Sequence, residues 1–333
     1  MRQLLLGFLL LIGGSLIALV LFFLWASSGR YSPERYARQV TLDTYPFKTE
    51  ADEITVVSYN IGYLSGLTNN QAVSRTRQLY DDNLATAIAA LQSVNPDLVT
   101  LQEVDVEAKR SFNVDQVAAV AQTMQYPQQA IAINWDKRYV PFPYWPPSAH
   151  FGAILSGQAI LSRFPINRHE RLVLEKVPGN PFYYNALYLD RLAQVAEVAI
   201  GDRTLVIINV HLEAFDGPTR LNQTVFVRQL AADYAQQHPV LLLGDFNSAL
   251  NRDAEGELRS IQTMLEATGF LPATPADQFT DVNQFTFPSD TPQYKLDYIF
   301  YTPETIQLEG IRVLNAAAQA SDHLPLVMRF KLR

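Results

Sequence analysis

Eight short apolar runs set the strongest limit on what this chain can fold into. They are ITVVSYN (54–60), DLVTLQEV (97–104), GQAILSRF (157–164), RLAQVAEVAI (191–200), TLVIINVHL (204–212), VLLLGDFN (240–247), LDYIFY (296–301) and LPLVMRF (324–330). Most are continuous rather than alternating and rich in β-branched residues, the pattern of strands covered on both faces. Helical patterns lie between them. In RTRQLYDDNLATAIAALQSVNPD the apolar set Leu84, Ala87, Ile88 and Leu91 follows helical spacing, and Asn95-Pro96 stops it. Two more helices are predicted over 219–238 and 257–269, the latter closed by Gly269. Doubly buried strands interleaved with helices predict a layered α/β architecture, two sheets face to face with helices outside.

A different pattern precedes these runs. LLLGFLLLIGGSLIALVLFFLW, from Leu4 to Trp25, carries no charge, and at about 1.5 Å per residue it spans a hydrocarbon layer of roughly 30 Å. The expectation is a single membrane anchor over 1–27. A cleaved signal peptide is the rival, favoured by Arg2 in front and Ala26-Ser27-Ser28 behind, although apolar cores of signal peptides run only about 7–15 residues. Arg2 argues for an inside N-terminus, whereas Arg30, Arg35 and Arg38 pull the other way; the reading adopted is a single-pass membrane protein with an extracytoplasmic catalytic domain. Residues 28–50 are polar, contain two prolines and read as a linker, with the catalytic domain over 51–333.

Composition excludes some chemistry. With no cysteine, thiol catalysis, disulfides and cysteine zinc sites are ruled out. A net charge of −7 argues against a strongly basic nucleic-acid groove, although a divalent metal that screens phosphates keeps nuclease chemistry open.

The polar residues are informative by position. Asn60 closes the first run, Glu103 follows LVTLQ, His211 closes VIINVH, and Asp245 and Asn247 close LLLGDFN. Side chains two apart on a strand share a face, so Asp245 and Asn247 are expected together with Phe246 turned away. Asp322 and His323 are adjacent in ASDHLPLV, and Asp297 sits in KLDYIF. Singly each has an ordinary explanation, as a turn former, a solvated edge or a structural histidine. Several such strand ends together call for a shared site. Carboxylates beside a core need compensation, and oxygen ligands without cysteine suit Mg²⁺ or Mn²⁺.

From about Ile54 to Phe330 the chain resembles the endonuclease/exonuclease/phosphatase superfamily of metal-dependent phosphohydrolases, which includes deoxyribonucleases, sphingomyelinases and inositol-polyphosphate 5-phosphatases. SYN, LQE, GQAILSRFPI, NVHL, GDFN, LDYIF and SDHLP occur in the family's order, and GDFN with SDH is the specific part. The resemblance implies a four-layer α/β/β/α sandwich of two mixed sheets. It implies Glu103 as principal Mg²⁺ ligand, with Asn60 and Asp322 in or near the metal shell. His323 would touch the scissile phosphate, oriented by Asp297; Asp245 would position or deprotonate water; Asn247 would hold phosphate or water; His211 would stabilise charge or protonate the leaving oxygen. Asp245 and His323 remain alternatives for the general base. Arg191 and His150 are further candidates to meet substrate.

Two loops bear on the substrate. KRYVPFPYWPPSAHF (137–151) and VPGNPFYYNALYL (177–189) are dense in aromatics and proline. Read as an apolar rim at a membrane interface, they favour a lipid-linked or headgroup phosphoester over nucleic acid, with no protein partner implied. A surface or secreted nuclease, and an inactive membrane-tethered binding module, are the alternatives.

Overall fold

The computed structural model describes residues 1–252 and 260–333. Strands and helices are numbered along the chain. One sheet has seven strands in the order β1 (Ala37–Thr41), β4 (Gln128–Val140), β5 (Gly152–Ser162), β3 (Leu98–Asp105), β2 (Ile54–Asn60), β13 (Leu326–Leu332) and β12 (Ile306–Val313). The other has six, in the order β10 (Leu271–Pro272), β11 (Asp297–Tyr301), β9 (Val240–Asp245), β8 (Arg203–His211), β7 (Leu192–Ile200) and β6 (Ile166–Val173). Both are mixed. Each contains a single parallel pair among the described residues, β2 with β3 and β8 with β9.

Three apolar layers hold the sandwich. Between the sheets, Val56, Leu98 and Ile160 meet Ala196, Leu241 and Ile299. Outside the first sheet, Val99 and Leu101 pack under α2 (Arg77–Val94) and α3 (Gln116–Met124). Outside the second, Ile208, Leu242 and Phe246 pack under α5 (Gly217–Ala235) and α6 (Ser260–Leu265). Each buried Val or Leu contributes about 1.5–3 kcal/mol, so the four-layer α/β/β/α order follows from the doubly apolar strands.

Local signals explain the helix ends. Thr76 caps α2 by accepting from Leu79 N–H at 3.2 Å, and Asn95 ends it in the left-handed conformation. Asp216 caps α5, which starts two residues before its predicted position. The predicted helix over 257–269 is described only from Ser260, its first three residues lying outside the described part.

The residues read as a linker carry structure: β1 lies within 28–50 and pairs antiparallel with β4 from Ala37↔Ala132 to Thr41↔Gln128. Strands β4, β6 and β12 were not expected: β6 and β12 are edge strands whose charges, as in INRHERLV, interrupt the apolar run, and interior β4 (QQAIAINWDKRYV) is broken up by buried polar residues such as Gln129, Asn134 and Asp136. Two further elements matter below. Helix α1 (Arg2–Ser27) passes the length and composition test for a membrane span, a test that signal sequences pass as well; α4 (Phe182–Leu187) lies in the second aromatic loop.

Candidate active site

The two parallel pairs deliver their C-terminal ends to the same end of the sandwich. Asn60 is in register with Gln102, and His211 with Asp245. Antiparallel β11 starts at Asp297, which faces Asp245 across the ladder. Behind them a polar bridge ties the sheets: Gln102 donates to Asn209 Oδ1 at 2.7 Å, and Asn209 donates to Gln194 at 3.0 Å.

Glu103 departs from its expected place. It does not end its strand; β3 continues to Asp105, and Gln102 and Glu103 form a bulge where two residues oppose one of β5. Glu103 has φ 52°, which swings its carboxylate into the cleft. Asp245 and Asn247 do share the cleft while Phe246 packs in the outer core, but strand alternation is not the reason. Beyond Asp245 the chain turns, with Asn247 at φ 51° and its N–H donating to Asp245 Oδ1 at 2.8 Å. Gly244 is required just before this turn: at φ 134° a Cβ would fall on the Val210 carbonyl of β8.

Two electrostatic units occupy the floor of the cleft. In the first, His323 sits between carboxylates, its Nδ1 2.9 Å from Asp297 Oδ2 and its Nε2 3.8 Å from Asp245 Oδ2. Burial works against the imidazolium, but Asp297 and Asp245 outweigh it and raise the pKa to about 10. Asp245 is itself pushed up to about 7, chiefly by burial, against the pull of His323. Asn60 Nδ2 donates to Asp245 at 3.0 Å, and its Oδ1 accepts from Gly62 N–H at 3.0 Å.

In the second unit, Glu103 and Asp322 converge on one amide. Asn69 Nδ2 lies 3.0 Å from Glu103 Oε2 and 3.2 Å from Asp322 Oδ2. Burial and the charge of Asp322 raise the Glu103 pKa. Among the described residues no lysine or arginine forms an ion pair with either acid. The positive charges of His323 and Arg191 act on Glu103 only from beyond ion-pair distance, so the pair has no cation directly against it and fits a divalent one. Ligand atoms of Asp245, Asp297 and His323 also converge, all within 4.8 Å of one another. That trio already holds its own cation, the imidazolium, so the Glu103–Asp322 side is the better fit.

His211 and Arg191 form the third wall of the floor. Arg191 Nη1 lies 2.6 Å from His211 Nε2, which in turn is 3.6 Å from both Glu103 Oε1 and Asp245 Oδ2. Burial, Arg191 and His323 hold the His211 pKa well below its usual value, so the ring is neutral. Arg191 is buried rather than exposed, braced by Glu213 at 3.5 Å and by the Tyr188 hydroxyl at 3.4 Å. His150 is not part of the cleft wall. Its Nδ1 binds Tyr139 Oη at 2.6 Å and its Nε2 faces the Tyr144 carbonyl at 3.3 Å, within its own loop.

Above this floor opens a cavity of about 780 Å³ whose walls include Tyr63, Trp135, Phe142, Phe151 and Tyr188. Asn69 and Tyr63 escaped sequence reading. A loop asparagine in GLTNNQAV has no distinguishing neighbours, and Tyr63 stands three residues past the last strand position of SYN.

Fold and cleft together define a four-layer α/β/β/α protein with a carboxylate and histidine site at one end of its sandwich. The Endonuclease/Exonuclease/phosphatase family model matches residues 57–323, and the chain belongs to that family. A UPF0294 protein of Vibrio cholerae is 31% identical over 147 residues, which cover 44% of this chain and 47% of that protein; the match spans about half the length of this curated relative. Among solved structures, an endonuclease/exonuclease/phosphatase from Beutenbergia cavernae is 20% identical over 85% of this chain and 72% of that one, with a TM-score of 0.60. The human Nocturnin catalytic domain, solved with a bound sulfate anion, is 18% identical over 91% of this chain and 100% of that one, with a TM-score of 0.58. At these identities the likeness to solved structures shows the fold alone.

Proposed function

We propose that this chain is a membrane-anchored phosphoester hydrolase that works with Mg²⁺ or Mn²⁺ on a lipid-linked or headgroup phosphoester. The observation that carries the reading is the division of the floor into an acid pair with no cation directly against it, Glu103 and Asp322, and a charged His323–Asp297 couple beside Asp245. Glu103, Asp322 and the second lone pair of Asn60 Oδ1 would hold the cation, which when bound supplies positive charge to phosphoryl oxygens. His323 presents Nε2 to the phosphate while Asp297 fixes the ring through Nδ1. Asp245, raised towards neutral pH by burial, takes the proton of a water whose oxygen forms the new bond to phosphorus. The ester P–O bond then breaks, the departing oxygen takes a proton from solvent, and Asp245 returns its own proton to solvent. Arg191 adds a fixed positive charge at the same wall, and Asn247 holds the Asp245 loop by donating to the Leu212 carbonyl at 3.0 Å.

The lipid preference rests on the aromatic walls of the cavity and the apolar α1. The test is a screen of the full chain in nanodiscs against sphingomyelin, phosphoinositides, plasmid DNA, RNA and bis(p-nitrophenyl) phosphate, with Mg²⁺ and with EDTA. Metal-dependent turnover highest on a lipid is expected. Rapid DNA nicking with inert lipids would replace the lipid reading with a nuclease. No turnover on any phosphoester would leave a binding module.

A further inference from the structure

Helix α1 is clasped to the catalytic body. Lys137 Nζ donates to the Ser27 carbonyl at 3.0 Å, Arg138 N–H donates to the Ser28 carbonyl at 3.1 Å, and Arg138 Nε donates to Ser28 Oγ at 3.1 Å. Buried Asp136 accepts the N–H groups of Arg30 and Tyr31 at 2.8 and 2.9 Å. Gly29 lies against the same carboxylate, where a Cβ would stand 2.9 Å from Oδ2. Arg30 Nη1 reaches Glu107 at 2.9 Å.

Rings extend the clasp up the helix. Phe22 and Trp25 meet Tyr139 at centroid distances of 5.8 and 6.5 Å, and Phe23 meets Phe182 of α4 at 6.1 Å. Phe182 then meets Tyr183 at 5.6 Å, and Tyr183 lines the cavity. A continuous file of rings therefore joins α1 to the mouth of the cleft. The loops on this side leave large rings in solvent, with Tyr144 73%, Trp145 77%, Phe182 77% and Tyr183 55% exposed. Tyrosine and tryptophan are the residues that settle at the level of lipid headgroups, and Lys and Arg accompany them there, here Arg30 just past α1 and Lys137 and Arg138 of β4, which bond the end of that helix.

We propose that the collar of Tyr144, Trp145, Phe182 and Tyr183 beds into the same bilayer interface that α1 crosses, so that the cavity opens onto the membrane and takes its substrate laterally from the leaflet that holds the protein. This rests on the membrane anchorage proposed above, and it adds a fixed orientation. A tethered domain would tumble. A clasped one keeps one face on the lipid, and the occupant of that face is the bilayer itself because the collar is continuous with the helix that enters it.

The chain has three tryptophans, which allows a test independent of catalysis. The Trp25→Phe variant leaves Trp135, which is buried, and Trp145 as the exposed reporter. In nanodiscs of phosphatidylcholine with brominated acyl chains, its emission is expected to be quenched, and the quenching to vanish in Trp25→Phe/Trp145→Phe. Quenching of Trp25 in Trp145→Phe with none of Trp145 would overturn the collar while keeping the anchor. Absence of quenching for both would overturn the anchor and the collar, with hydrolysis unaffected as a separate question. In a second arm, Trp145→Asp/Phe182→Asp is expected to lower turnover of a bilayer-embedded phosphodiester by about tenfold or more, the scale of one large apolar group lost from the interface, with bis(p-nitrophenyl) phosphate turned over as before. Equal losses on both substrates would overturn the proposal.

Discussion

The floor of the cleft and its aromatic wall are built by opposite rules. On the floor, Asn60, His211, Asp245, Asp297 and His323 are buried, with Asn60 bonded to Asp245 and His323 to Asp297. On the wall, rings from two proline-dense loops meet edge to face, as Phe142 with Phe151 at 5.2 Å, and the outermost stand in solvent. A floor of this kind has little freedom to vary without losing its charge balance. In the proposed reading the floor sets the reaction and the wall sets what reaches it.

The largest effects should come from breaking the floor. Asp245→Asn and His323→Ala are each expected to lower turnover by about 10²–10⁴ on every substrate, measured on protein whose circular dichroism is unchanged. Because His323 and Asp297 act together, His323→Ala/Asp297→Asn should cost no more than the single change. Near-wild-type turnover in Asp245→Asn would defeat the assignment.

Gly244→Ala probes the backbone under the floor. The left-handed conformation and the collision with Val210 together are expected to cost about 3 kcal/mol or more, read as a lowered denaturation midpoint. A smaller effect is expected from Asn69→Ala. Loss of the amide that holds Glu103 and Asp322 together should weaken Mg²⁺ or Mn²⁺ binding by about 10–100-fold, measured by calorimetry, with Glu103→Gln weaker still. Unchanged cation affinity in both would move the metal away from this pair.

The smallest effect belongs to the wall. Phe142→Ala should leave turnover of short phosphodiesters unchanged and reduce the gain from each added methylene, which in a filled apolar site is about 0.8 kcal/mol. A series of alkyl phosphodiesters of rising chain length reads this directly. If short and long substrates suffer alike, floor and wall are not separable.

The same contrast decides what could be read from sequence. GDFN and SDH place Asp245, Asn247, Asp322 and His323 within seven positions, and the apolar runs around them report burial on both faces. The sandwich and most of the floor were legible on that basis. Asn69 was not, because its meaning comes from two acids far along the chain. Nor was the clasp of α1, which depends on Asp136 meeting residues more than 100 positions earlier. The polar stretch 28–50 concealed β1, since an edge strand with one exposed face has no continuous apolar signature. Turn geometry after Asp245 reached the expected outcome by another route, and only the backbone angles distinguish the two.

The bulge in β3 has one more consequence. Before it Val99 and Leu101 face the helices; after it Val104 and Val106 do. The ladder with β5 steps from Leu101↔Ala159 to Val104↔Gly157, so one residue of the Gln102–Glu103 pair is surplus to the pairing. Glu103 is thus a supernumerary residue, carried by the sheet without being a rung of it. Deleting it would leave β3 regular, with Val104 still on the helix side. A carboxylate placed in this way can be gained or lost by a single codon, and the sandwich that carries it would persist as a folded but chemically silent scaffold.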